Sequence, residues 1–171
     1  MNNAATPTLK RRLAVMLYEA VLLFGVVFLT GWLFDTFTQS RHALTLRHAR
    51  QAVLFFVLGA YFVFFWTHGG QTLAMKTWRV RLIMPGSPQV SALKAVMRYL
   101  LAWMWFLPAM AIDYAFDLKA WTGMAVILAG MVLWAMTILL NKDRQFLHDQ
   151  LLGTRLITYD LPATQSKPAR G

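Results

Sequence analysis

One carboxylate lies deep in the first long apolar run of the chain: Glu19, within Leu13 to Phe34. On a helix it sits roughly 9 Å from the start of that run, at 1.5 Å per residue. An ionised carboxylate at such a depth in hydrocarbon is costly unless it is paired, neutralised or facing water. Two chemistries are therefore open to it, a structural polar clamp or the handling of ions and protons. Arg12 precedes Glu19 by seven positions, two turns back on the same helical face, with Val15, Met16, Leu22 and Leu23 beside it. That face is expected to point at other helices. The gap of about 10 Å is too wide for a direct Arg12–Glu19 salt bridge, so Glu19 is expected to meet a group from another helix or from a cytoplasmic segment.

The other ionisable cluster surrounds Asp149, with His148 beside it and Lys142, Asp143 and Arg144 upstream. Three roles are open: a solvated face whose local ion pairs contribute little, an anchor for the cytoplasmic segments or for Arg12 at the mouth of a bundle, and a part in transport. The chain has no cysteine and four histidines, so no disulfide, thiol chemistry or metal site is expected. A His68–His148–Asp149 metal site is the weakest of the candidates. Gly69-Gly70 lacks the following helix and lysine spacing of a phosphate loop and is expected to turn the chain. Nothing resembles an activated nucleophile, and the carboxylates are scattered over separate loops, so no enzyme activity and no cofactor are expected.

Two segments of 13 residues repeat one another: Gln71 to Ile83 and Gln145 to Ile157 share Gln, Leu, Arg, Leu and Ile at equal offsets. Each follows an even-numbered apolar run, as a parallel duplication would require. Their ends alternate, with Trp78, Val80 and Leu82 against Arg79 and Arg81, and Leu156 and Thr158 against Arg155 and Ile157. This period of two predicts short strands that pair beneath the bundle.

The elements that position these residues are apolar helices. The chain has 171 residues, 58% of them hydrophobic and 14% charged, against roughly 45–50% and about 25% in soluble domains. The reading is an all-α membrane protein with four transmembrane helices at about 13–34, 46–66, 95–112 and 120–140. Ser40 is the expected cap before the second span, with Arg47 and Arg50 snorkelling in its first turns. Pro108 is expected to kink the third span. Gly123, Ala125, Ala129 and Gly130 offer a close-packing or dimerisation stripe in the fourth. The first run is too long for a signal-peptide core and no cleavage site follows, so it is read as a retained span. The net charge of +10 could indicate a nucleic-acid binder, but the basic residues fall between apolar runs rather than on one face. Thirteen of the Lys and Arg residues lie on one side of the spans and four (Arg41, Arg47, Arg50, Lys119) on the other, which gives both termini cytoplasmic. A three-span arrangement, with one run on the surface, is the alternative. Residues 1–9 read as an N-terminal tail, 10–160 as the membrane domain and 161–171 as a disordered tail. Lys76, Arg79, Arg81 and Lys94 form a basic face suited to anionic lipid headgroups.

Three segments, Arg12-Leu-Ala…Glu19, Gly69-Gly70-Gln71-Thr-Leu…Met-Lys76…Trp-Arg79 and Asp143-Arg144-Gln-Phe-Leu-His148-Asp149…Gly153-Thr-Arg155, together resemble the RDD family of bacterial membrane proteins over roughly residues 10–158. The family is named for an arginine and two aspartates, which correspond by position to Arg12, Glu19 and Asp149. Glu19 departs from the expected aspartate by one methylene and keeps the charge. The resemblance implies a multi-pass protein of the bacterial cytoplasmic membrane, and transport of an unidentified ligand, with cation/proton exchange one candidate. Such a transporter would work as a homo-oligomer, since four spans seldom enclose a path alone. The alternative is a non-transporting scaffold or assembly factor that binds a protein partner or anionic lipid through its basic face.

Overall fold

A computed structural model of the chain describes residues 5–39, 46–87, 89–140 and 145–158. Ser40, Arg41, Lys142, Asp143, Arg144 and the tail at 161–171 lie outside the described residues, with the expectations attached to them.

The apolar runs form helices. The first, α1 (Leu9–Thr38), starts at Thr8, whose hydroxyl accepts from the Arg11 amide, satisfying one of the orphan N–H groups of the first turn. It runs beside α2 (Arg47–Thr67). Both are long and apolar enough to cross a bilayer. Most of their large side chains, among them Leu17, Val21, Phe24, Phe28 and Phe56, face outward, as they would toward lipid. Arg50 of α2 forms an ion pair with Asp35 of α1, which ties the far ends of the two helices together.

The third run is broken rather than kinked. Helix α4 (Ala92–Ala102) tightens into a 3₁₀ turn at Trp103–Trp105, and α5 (Leu107–Phe116) departs at 41°. Pro108 lies in the first turn of α5, where its missing N–H costs nothing. Proline therefore opens a new helix here instead of bending an existing one. Counted as one span, this pair raises the number of candidate crossings from two to three. The last run gives α6 (Ala120–Met136), a shorter apolar helix continued by a 3₁₀ turn at Thr137–Leu140. It packs on α5 through small residues. A Cβ at Gly130 would come within 2.9 Å of Ala109 Cβ, and one at Gly123 within 2.1 Å of Asp113 Oδ1. The stripe is thus used inside the chain at both glycines, while Ala125 and Ala129 stay exposed.

Each pair of helical runs is followed by a short helix and a strand: α3 (Leu73–Thr77) and β1 (Val80–Ile83) after α2, then α7 (Leu147–Leu152) and β2 (Arg155–Thr158) after α6. The strands pair antiparallel, with Leu82 opposite Leu156 and Val80 opposite Thr158. The alternation read in the sequence is visible as burial: Val80, Leu82 and Leu156 turn into a core that includes Trp66, Met75, Ala95 and Tyr99. The repeated glutamines serve the same purpose twice. Gln71 Nε2 donates to Val80 O at 2.8 Å, and Gln145 bonds both backbone groups of Leu156. Gly70 holds φ at +71°, and a Cβ there would stand 2.3 Å from Leu82 O; only glycine fits this turn out of α2.

Candidate functional site

Helix α1 turns its two inward charges, Arg12 and Glu19, onto different neighbours. Glu19 is 7% exposed. Its Oε1 accepts from the Tyr61 hydroxyl of α2 at 2.6 Å, and its Oε2 from the hydroxyl of Thr72. Thr72 is the N-cap of α3, and its hydroxyl also accepts from the Met75 amide at 3.2 Å. The side chain thus caps one helix and holds the carboxylate of another. Among the described residues, Glu19 has no lysine, arginine or histidine within ion-pair distance. The expectation that it meets a group from another helix or from a segment between the spans is met by Tyr61 of α2 and by Thr72 in the segment that follows α2, and both donors are neutral.

Asp149 lies in the first turn of α7 and is completely buried. Its partner is Arg98 of α4: Nε to Oδ1 at 2.7 Å and Nη2 to Oδ2 at 3.3 Å, the two-pronged geometry in which guanidinium and carboxylate pair best. Thr154 donates its hydroxyl to Oδ1 at 2.9 Å and its amide to the Asp149 carbonyl at 2.9 Å, and Gly153 at φ +64° makes the turn that brings it there. Below the pair, the Arg98 guanidinium lies 4.3 Å above the Trp66 ring. Burial by itself would raise the Asp149 carboxyl, but Arg98, with the Thr154 hydrogen bond, holds it below the usual range. His148 places Nε2 3.5 Å from Asp149 Oδ2 and stacks on Phe146. Its burial pushes it down to about 4, so it is neutral at physiological pH.

Arg12 is 2% exposed. Nε donates to Pro7 O at 3.2 Å, and the guanidinium lies 5.4 Å from the Phe146 ring centre. Asp149 and Arg98 both act on its charge, yet among the described residues Nη1 and Nη2, although buried, have no hydrogen-bond partner. The expected Arg12–Asp149 meeting is therefore one of proximity, and Arg98 makes the direct bond. The N-terminal segment crosses here: Ala5 O accepts from the Thr158 amide at 2.8 Å, and Thr6 Oγ1 accepts from Gln145 and Arg155.

Of the other residues singled out, Gly70, Gln71, Gly153 and Arg155 build the strand pair and its turns, and Lys76 and Arg79 are exposed. The structure does not unite His68 with His148: His68 stacks on Phe64, and no group of metal-binding side chains occurs among the described residues. Sequence reasoning did not single out Arg98, Thr72, Tyr61 or Thr154 for the site. Arg98 carried a usable signal, since an arginine inside an apolar helix needs an acidic partner.

Comparison with curated proteins and with solved structures finds no match. A family model does match, that of the RDD family, over residues 6–153. The span runs from the segment that covers Arg12 to the turn behind Asp149, so the chain belongs to the RDD family.

Proposed function

We propose that this RDD-family membrane protein exchanges protons for a small cation across the bacterial cytoplasmic membrane, as an assembly of several copies, with Glu19 as the exchanging group. The observation that carries this reading is the Glu19 carboxylate, buried in the first helix and held by two neutral hydroxyls without a basic partner among the described residues. A carboxylate in a fixed salt bridge must break that bridge to take up a proton or a cation; Glu19 need not. The hydroxyls of Tyr61 and Thr72 add hard oxygen atoms that can turn lone pairs toward a cation. Asp149, locked by Arg98, is the contrasting case and serves as an anchor.

In this reading α1, α2, the broken α4–α5 pair and α6 with its 3₁₀ extension are four crossings, and both termini are cytoplasmic. The thirteen-to-four division of Lys and Arg supports that orientation, and the Asp35–Arg50 pair neutralises one of the arginines on the opposing side. Purified protein in liposomes is expected to move protons against sodium or potassium, followed by a pH-sensitive dye, and Glu19→Gln to abolish this in protein that still folds. Absence of flux with every alkali cation refutes the exchange. A scaffold docking through the exposed Lys76, Trp78 and Arg79 face is then the remaining reading, tested by crosslinking in native membranes.

A further inference from the structure

Arg12 presents a charge problem that the exchange reading leaves unused. The residue is 2% exposed, and Arg98, the other arginine acting on it, already takes both oxygens of Asp149. Among the described residues two guanidiniums thus share one carboxylate, and the cluster they form carries one excess positive charge. His148 adds none, being neutral. The Phe146 ring stabilises the face of the Arg12 cation, but a ring face cannot accept the in-plane N–H groups of Nη1 and Nη2. Those donors are buried and have no acceptor among the described residues, and a buried charge whose hydrogen bonds go unmade is expensive to keep. The Nη1/Nη2 fork is also the part of arginine that matches two oxygens of one oxyanion.

We infer that Arg12 is an anion site, taking one phosphate group on its Nη1/Nη2 fork beneath the N-terminal segment at Ala5–Thr8. Three features support it. A single negative charge would neutralise the cluster. Nε is pinned by Pro7 O, so the fork is held in a fixed direction without being consumed. Arg12 also stands immediately before the first apolar run, at the level where a bilayer places lipid phosphates. A phosphodiester headgroup and free inorganic phosphate share the chemistry this site selects.

The test uses full-length protein in neutral detergent and follows thermal unfolding at constant ionic strength, titrating either inorganic phosphate or phosphatidylglycerol, with phosphatidylcholine as the zwitterionic control. At a hundredfold excess over the dissociation constant the midpoint is expected to rise by roughly 5–10 °C. A rise with phosphatidylglycerol alone assigns the site to a lipid headgroup, and a rise with inorganic phosphate assigns it to the free ion. Arg12→Gln is expected to remove the rise, measured against its own ligand-free midpoint, which also registers the loss of the Nε bond to Pro7 O. Arg79→Gln, at an exposed arginine, is expected to keep it. Should Arg12→Gln not fold, Arg12→Lys decides: it keeps the charge, loses the fork, and is expected to bind at least tenfold more weakly. No rise with either ligand, an equal rise in Arg12→Gln, or unchanged affinity in Arg12→Lys overturns the site. Cation flux plays no part in the readout, so the outcome is separate from that of the exchange reading.

Discussion

Replacing Asp149 by Asn removes one charge and little else. The amide oxygen can still accept from Thr154, and the side chain fills the same volume, but Arg98 loses its counter-ion in a site where the carboxylate is 0% and the arginine 8% exposed. Removing one partner of a buried pair costs about 3–5 kcal/mol, because the other charge is left uncompensated. Here the cost should sit at the top of that range, since Arg12 also lies within reach of the lost charge and two guanidiniums would remain without an anion among the described residues. Arg98→Met is the instructive partner experiment. It strands Asp149, but Arg12 is at hand to take over part of its field and Thr154 still donates at 2.9 Å, so the loss should be smaller, about 2 kcal/mol. Combining Asp149→Leu with Arg98→Met removes both charges and should cost less than Asp149→Asn alone, as apolar replacement of a buried pair commonly does. Unfolding titrated with dodecyl sulfate in mixed micelles gives these differences. Tryptophan fluorescence is a suitable probe, because Trp66 lies under Arg98 and Trp105 against Phe146. If Arg98→Met is as damaging as Asp149→Asn or more so, the idea that two arginines share this carboxylate is wrong.

Much of this arrangement could be read from the residues. Apolar runs with few charges marked α1, α2 and α6, and the alternation Val80–Arg81–Leu82 marked a strand because one pleat face had to bury. The duplicated Gln…Arg-Leu-Ile segment located both strands, and the structure shows why glutamine recurs: its amide can bond strand backbone that would otherwise be unpaired. The face shared by Arg12 and Glu19 was legible from helical spacing alone. Partners distant along the chain were not. Arg98 and Asp149 are 51 residues apart, and Thr72 and Glu19 are 53 apart; spacing within a helix says nothing about which neighbour a side chain will meet. Arg98 stands near the start of its helix, where an arginine is usually no more than a charge flanking a span, so its position alone does not mark it as a partner of Asp149. The break before Leu107 was hidden for a related reason: proline is compatible both with kinking a helix and with starting one, and the choice depends on how Trp103–Trp105 tighten before it.

Three further outcomes follow from single side chains. Glu19→Gln should change unfolding by less than about 1 kcal/mol, because its amide can still bond both hydroxyls, whereas Glu19→Leu leaves Tyr61 and Thr72 without their acceptor and should cost about 2–4 kcal/mol in the same titration. Gly70→Ala should destabilise by about 2 kcal/mol or more, since the positive φ and the 2.3 Å approach to Leu82 O leave no room for a methyl; amide exchange of Leu82, bonded to Gly70 O at 2.8 Å, should accelerate with it. The last concerns pH. The folded protein keeps His148 neutral down to about 4, while the unfolded chain protonates it near 6.5. Between those values the unfolded chain binds the extra proton, so stability falls as pH falls. The full shift amounts to about 3 kcal/mol. Asp149, held below its ordinary range by Arg98, adds its own loss only at lower pH still, as that carboxylate protonates in the unfolded chain first. Stability measured from pH 7 to 4 should therefore slope steeply in the native sequence and flatten in His148→Gln. Parallel curves for the two proteins would mean that His148 is not the group buried without its proton.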